Sequence, residues 1–359
     1  MAAETRKTQQ TLIGIDDAHL LLAPYVWKRS GNGAAARAEA ALPGAYVKAR
    51  FQGSSTIELI VDGTANRGCP ASSMPVVEYS IDEGAFQVVP LTRTDRVYTL
   101  PLADGLIAGK PHRIEVYFRA ADLTKNRWKG STAHLRIAGL ALDAGGSLLP
   151  CPARPGKAIG FGDSITEGVG ADGLFTSWQL LGVNNARGTW LPIVCGALNC
   201  EYGQLGSGGQ GMTRTIHLPP LPATWDRYDP TTSRLTGGML LPEPDYVFCC
   251  MGTNDFDKDI TADYTGWLAA MRRACPHTQF FCVVPPLGVH QSEIAAAVAA
   301  RNQAGDRRVH LIDTAPLKAA FRSGQGATQL AHDGVHPSEY GHALLGALIA
   351  VEVIKQREQ

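Results

Sequence analysis

Residues 158–168 read AIGFGDSITEG: an apolar run that stops on Gly-Asp-Ser and gives way to Ile-Thr-Glu-Gly. A short apolar run closed by glycine is the pattern of a strand buried on both faces. Ser164 then stands where that strand ends and a helix is expected to begin. Two readings of this position are open. Asp163 or Ser164 can serve as an N-cap, the commonest work of these residue types before a helix. Alternatively, Ser164 is a reactive hydroxyl beside free backbone N–H groups and the positive end of a helix dipole.

The pattern on the C-terminal side of this stretch repeats it. Apolar runs at 157–162 (KAIGFG), 200–206 (CEYGQLG), 245–252 (DYVFCCMG), 279–286 (QFFCVVPP) and 309–313 (VHLID) predict strands. Helix-length segments at 189–199, 264–275, 292–303 and 338–356 lie between and after them. Apolar strands alternating with helices predict a parallel five-stranded sheet covered on both faces, an α/β fold. Ligands of such sheets bind beyond the carboxyl ends of the strands, so a real site should gather its residues there.

On the N-terminal side the pattern differs. Residues 45–51, 56–63, 76–82, 86–91 and 112–120 are short runs rich in Val, Ile, Tyr and Phe, separated by turn formers such as DGTANRG. In HRIEVYFRA, residues 112–120, Ile114, Val116 and Phe118 alternate with Glu115, Tyr117 and Arg119, which predicts a strand with one buried face. Short strands without intervening helices predict an all-β sandwich or jelly roll. The Gly- and Pro-rich stretch LDAGGSLLPCPARPGKA, residues 142–158, reads as the join, giving a β-sandwich domain over 1–150 and an α/β domain over 151–359.

Composition excludes several classes of function. The 359 residues carry 33 Lys+Arg against 33 Asp+Glu, so neither a nucleic-acid groove nor a polybasic membrane patch is indicated. No stretch approaches the ~20 apolar residues of a membrane span, and the N-terminus lacks the pattern of a signal peptide. A cytoplasmic protein is the expectation. The eight cysteines form no C-x-x-C pair, and Cys195, Cys249, Cys250 and Cys282 fall in apolar runs, as buried reduced thiols do.

The strand ends carry the candidates. After the second strand, GQLGSGGQGM contains a G-x-G-x-x-G match at Gly206, Gly208 and Gly211. A dinucleotide fingerprint would open a helix there, but the prolines of MTRTIHLPPLPATWDRYDP forbid a regular one. A loop whose backbone N–H groups approach a ligand fits better. After the third strand, MGTND offers the Asn254 amide to an oxyanion, with Asp255 capping the loop. Near the C-terminus, LAHDGVHPSEYGHALLG places Asp333 three residues before His336, a carboxylate able to fix an imidazole tautomer. His332, Asp333, His336, Glu339 and His342 also crowd together. A metal site is disfavoured, because H-E-x-x-H is absent and Pro337 breaks the helix that would align His332 with His336.

Gly-Asp-Ser, a glycine loop, Gly-x-Asn-Asp and Asp-x-x-His-Pro occur in that order over about residues 156–357. In this the chain resembles the SGNH (GDSL) hydrolase family. The resemblance implies a flavodoxin-like hydrolase domain with Ser164 as nucleophile, His336 as its general base and Asp333 orienting His336. It implies an oxyanion hole made by the Ser164 N–H, the N–H of Gly209 (Gly208 in an alternative alignment) and the Asn254 side chain. No metal or organic cofactor is implied, and no G-x-S-x-G elbow of the α/β-hydrolases occurs. A β-sandwich ahead of such a domain is similar to carbohydrate esterase family 2, which removes acetyl groups from sugars. That points to a small saccharide ester as substrate. A thioester or lipid substrate, or a sugar-binding protein without activity, are the rivals. Trp128, in the polar stretch KNRWKG, and Trp225 and Tyr228, in the Pro-rich insertion, are the candidate sugar-stacking aromatics, with ordinary packing as the alternative.

Overall fold

The structure is a computed structural model that describes residues 9–357 apart from 131, 215, 237–239, 241 and 323–329. The strands before residue 150 are β1 (Gln10–Gly14), β2 (Leu21–Leu22), β3 (Lys28–Ser30), β4 (Arg37–Ala40), β5 (Tyr46–Gln52) and β6 (Ile57–Asp62), followed by six more. These are β7 (Val76–Ile81), β8 (Gln87–Pro90), β9 (Val97–Ala103), β10 (His112–Ala120), β11 (Leu135–Asp143) and β12 (Ser147–Leu149). They form two antiparallel sheets. One runs β3-β4-β11-β6-β9 with β1 also beside β11; the other runs β12-β5-β10-β7-β8 with β2 also beside β5. Apolar residues from both sheets, among them Phe51, Leu59, Val77, Phe118 and Leu140, share one core.

The later strands are β13 (Gly156–Gly162), β14 (Cys200–Gly206), the short pair β15 (Arg227–Asp229) and β16 (Thr232–Ser233), β17 (Tyr246–Cys250), β18 (Gln279–Val283) and β19 (Val309–Ile312). Helices α1 (Ser164–Glu167), α2 (Trp190–Ala197), α3 (Thr261–Ala274), α4 (Gln291–Gln303), α5 (Ala315–Arg322) and α6 (Glu339–Arg357) accompany them. The sheet is parallel, in the order β14-β13-β17-β18-β19. Every residue of β14 is buried, as expected of a sheet covered on both faces. Connections leave β13 toward both edges, so the topological switch point, where ligands bind in open α/β sheets, lies at its carboxyl end. Ser164 follows that end.

The two halves are joined by buried polar contacts. Lys48 on β5 lies 3.1 Å from Glu201 on β14, both side chains nearly sealed, and Tyr46 donates a hydrogen bond to the same carboxylate. Burial opposes the Glu201 charge, but Lys48 and Tyr46 outweigh it and hold its pKa below the usual carboxylate range. The segment between β14 and β17 reaches back across the first half. There Tyr228 donates to the Glu39 carbonyl at 2.9 Å, Lys28 meets Asp229 at 2.6 Å, and Arg234 donates to the Tyr25 carbonyl at 2.7 Å.

These contacts explain one departure from the expected pattern. β10 alternates buried and half-buried residues only over its first half; from Val116 onward both faces are buried. Tyr117 packs against Tyr46, and Arg119 pairs with Glu78 and with Asp172 of the second half. All eight cysteines are free. No helix among the described residues is long and apolar enough to cross a membrane.

Candidate active site

The turn that presents Ser164 follows from its neighbours. Gly162 ends β13 where a Cβ would lie 1.9 Å from the Thr166 hydroxyl, so only glycine lets α1 fold back this tightly. Asp163 is the N-cap, accepting the Ile165 N–H at 2.9 Å. The helix it opens is a single turn, closed by Gly168 at φ 85° with its N–H on the Ser164 and Ile165 carbonyls. The helix expected after Ser164 is thus present but only one turn long, and most of the macrodipole is missing. An anion formed beside Ser164 would meet local N–H groups, not a helix field.

Ser164 and His336 come from opposite ends of this half. The Ser164 Oγ lies 2.9 Å from His336 Nε2, and His336 Nδ1 lies 2.6 Å from Asp333 Oδ2. The other Asp333 oxygen accepts the N–H groups of Val335 at 2.9 Å and His336 at 2.7 Å. Partial burial opposes the Asp333 charge, but the imidazole and these N–H groups outweigh it and lower its pKa to about 2. His342, six residues on, is fully buried with both ring nitrogens unpartnered. Burial, helped by His336, pushes its pKa down to about 3, so it stays neutral. Of the five polar residues that crowd this stretch in sequence, Asp333 and His336 pair with each other while His342 is sealed apart, and no group of three among the described residues is arranged to hold a metal.

Gly208 and Gly209 part company in the loop after β14. The Gly208 N–H is donated to Glu167 Oε2 at 2.6 Å. Gly209 has φ 75°, and a Cβ there would lie 2.4 Å from the Ile216 side chain, so glycine is required twice over. Asn254 donates one amide hydrogen to the Gln210 carbonyl at 2.9 Å, leaving the second. Asp255 is sealed from solvent and accepts the N–H groups of Met212 at 2.9 Å and Thr213 at 2.7 Å, with the Thr213 hydroxyl at 2.8 Å. It ties the loop after β17 to the loop after β14.

The aromatics differ from expectation. Trp128, Trp225 and Tyr228 are all buried and converge on one narrow cavity of about 30 Å³ between the sheets and the insertion. That is room for a water molecule or two, not a sugar ring, while Trp128 also borders a separate, wider cleft of about 220 Å³ beside Lys28 and Asp229. The polar residues around Trp128 do not expose it, because the indole is covered by the insertion that the first half clasps. Sequence reasoning missed a different pair. The Phe175 ring meets His336 edge-on with centroids 5.3 Å apart, and Trp178, 42% exposed, packs on Phe175 at 5.6 Å. Their signal was a loop, DGLFTSWQL, holding four large apolar residues that no strand or helix uses, of which Leu174, Trp178 and Leu180 are exposed.

The profile of the GDSL-like lipase/acylhydrolase family matches residues 161–344, just over half of the chain. A search of curated proteins finds no match. Among solved structures, a family two carbohydrate esterase from Cellvibrio japonicus is similar with a TM-score of 0.75 at 17% identity, covering 98% of this chain and 99% of that one. The acetyl xylan esterase Est2A from the rumen bacterium Butyrivibrio proteoclasticus gives 0.75 at 16% identity over 98% and 99%. A family two carbohydrate esterase from Clostridium thermocellum, solved in complex with cellohexaose, gives 0.72 at 21% over 94% and 99%. These likenesses extend over both halves, so the antiparallel sheets belong to the shared fold as much as the parallel one. With an SGNH-type sheet and a serine, imidazole and carboxylate in hydrogen-bonded series, the chain belongs to the GDSL-like lipase/acylhydrolase family and is a carboxylic ester hydrolase.

Proposed function

We propose that this protein is a serine esterase that removes short acyl groups, chiefly acetyl, from O-acylated carbohydrates. The observation that carries the reading is the 2.9 Å and 2.6 Å series from Ser164 through His336 to Asp333. His336 Nε2 takes the Ser164 proton as Oγ attacks the ester carbonyl, and Asp333 holds the ring and stabilises the imidazolium. The Ser164 N–H, the Gly209 N–H and the free Asn254 amide hydrogen receive the oxyanion. Engagement of the Gly208 N–H with Glu167 supports Gly209 as the glycine donor. The alcohol leaves with the proton from His336, and water then releases the acid from the acyl-serine. The saccharide part of the reading rests on the structural neighbours, two named as carbohydrate esterases and one as an acetyl xylan esterase. The exposed Trp178 indole, beside His336 through Phe175, supports it as a surface on which a pyranose ring can stack.

Hydrolysis of p-nitrophenyl acetate, butyrate and octanoate by wild type and Ser164→Ala tests this, with acetate release from acetylated xylo-oligosaccharide alongside. Acetate should be cut fastest, and the alanine variant should lose about 10⁴-fold or more in kcat. Preference for octanoate would replace the reading with a lipid or thioester one. Retained activity in Ser164→Ala would remove Ser164 as nucleophile.

A further inference from the structure

The segment between β10 and β11 reaches from the antiparallel sheets into the oxyanion loop. Arg127 and Glu167 are both 3% exposed. Arg127 Nη1 lies 2.7 Å from Glu167 Oε1, and Nη2 donates to Oε2 at 3.1 Å. That same Oε2 accepts the Gly208 N–H at 2.6 Å. Leu123, from the same segment, covers the other side of Gly208, where a Cβ would lie 2.8 Å from its methyl. The segment is itself braced. Asp122 accepts the Thr124 N–H at 2.8 Å, Asn126 accepts the Trp128 N–H at 3.1 Å, and His134 Nε2 lies 3.1 Å from the Arg127 carbonyl.

We infer that Arg127 is a positioning residue for the oxyanion hole: through Glu167 it fixes the Gly208 peptide and so aims the N–H of Gly209. This rests on the proposed role of Gly209 in the esterase reaction. A glycine pair whose second member stands at φ 75° has little intrinsic preference for one orientation. The orientation must come from contacts, and the contact on Gly208 is a carboxylate that burial would penalise without a counter-charge. Arg127 supplies that charge and fixes the carboxylate plane. The reacting atoms lie in one half of the molecule, and the group that holds their donor lies in the other.

The test is kcat and KM on p-nitrophenyl acetate, inhibition by phenylboronic acid, and melting temperature for wild type, Arg127→Gln, Arg127→Lys and Glu167→Gln. Phenylboronic acid forms a tetrahedral serine adduct and so reports the oxyanion hole directly. Arg127→Gln is expected to lower kcat by about 10–100-fold with KM within about threefold, and to weaken the boronic acid by a similar factor. Glu167→Gln keeps a carbonyl acceptor for Gly208 and should lose less than Arg127→Gln. A kcat and boronic-acid affinity within about twofold of wild type, with only the melting temperature lowered, would overturn the inference and leave Arg127 a purely structural clamp. Should Arg127→Gln fail to fold, Arg127→Lys and Glu167→Gln give the same two readouts, and wild-type values in both overturn it equally. An inactive wild type would instead defeat the esterase reading itself.

Discussion

Asp163 places a fully buried carboxyl next to the nucleophile. Burial pushes its pKa up to about 6, against the Ile165 N–H, which favours the charge. A carboxyl whose pKa is higher in the folded than in the unfolded chain stabilises only while protonated. Its contribution is complete below about pH 4 and is lost as pH rises through 6, by about 3 kcal/mol. Asp163→Asn keeps an acceptor for Ile165 and removes the ionisation. The melting temperature of the variant relative to wild type should therefore rise between pH 4.5 and pH 7.5. An unchanged difference across that range would mean that Asp163 does not titrate there. Asp333 has the opposite sign: with its pKa lowered to about 2, it is charged throughout any ordinary assay range, and its stabilisation disappears only in strong acid.

At the scale of elements, the two loops that carry the proposed oxyanion donors Gly209 and Asn254 are tied together by Asp255, which stands in one and binds the other. Asn254→Ala removes a donor and should lower kcat by about 10²–10³-fold with little change in melting temperature. Asp255→Ala orphans buried N–H groups at about 1–3 kcal/mol each, so it should lower kcat and melting temperature together. Equal melting temperatures for the two variants would show that the loops stand without Asp255. The strands of this sheet were readable because each is apolar on both faces; β14 begins and ends where its sequence pattern does, at Cys200 and Gly206. Ser164 and Asn254 stood out at strand ends, and Asp333 and His336 before the closing helix, because turns there use few residue types; the structure brings Ser164, His336 and Asp333 together. The length of α1 was not, since its stop depends on Gly168 pressing against the Asn185 carbonyl, a contact between distant residues. Nor was β11, central to its sheet, which precedes the Gly-rich stretch read as a join and overlaps it only at Leu142 and Asp143. Trp128 was misjudged, and Arg127 went unread, for the same reason. Their polar neighbours suggested solvent, whereas the surface they cover belongs to residues 40 to 100 positions away.

Over the whole molecule, the division at residue 150 is one of secondary structure more than of stability. Lys48, Tyr46 and Glu201 form a sealed polar cluster between the halves, and removing one member of a buried ion pair costs about 3–5 kcal/mol. We expect a single calorimetric transition, shifted down by about 4–7 °C in Lys48→Met. Two transitions, with only one of them moved, would show instead that the halves melt separately.

The segment between β14 and β17 leaves the second half, bonds to Glu39, Lys28 and Tyr25 in the first, and returns. During synthesis the first half emerges well before its clasp exists, because these bonds join residues about 190 to 210 positions apart. The clasp closes late. Contacts of such sequence separation are slow to form, so refolding from denaturant should pass through a species with settled antiparallel sheets and an unfastened insertion. In that species the cavity around Trp128, Trp225 and Tyr228 lies open, and its aromatic walls are the surface that a chaperone or an aggregating neighbour would meet first.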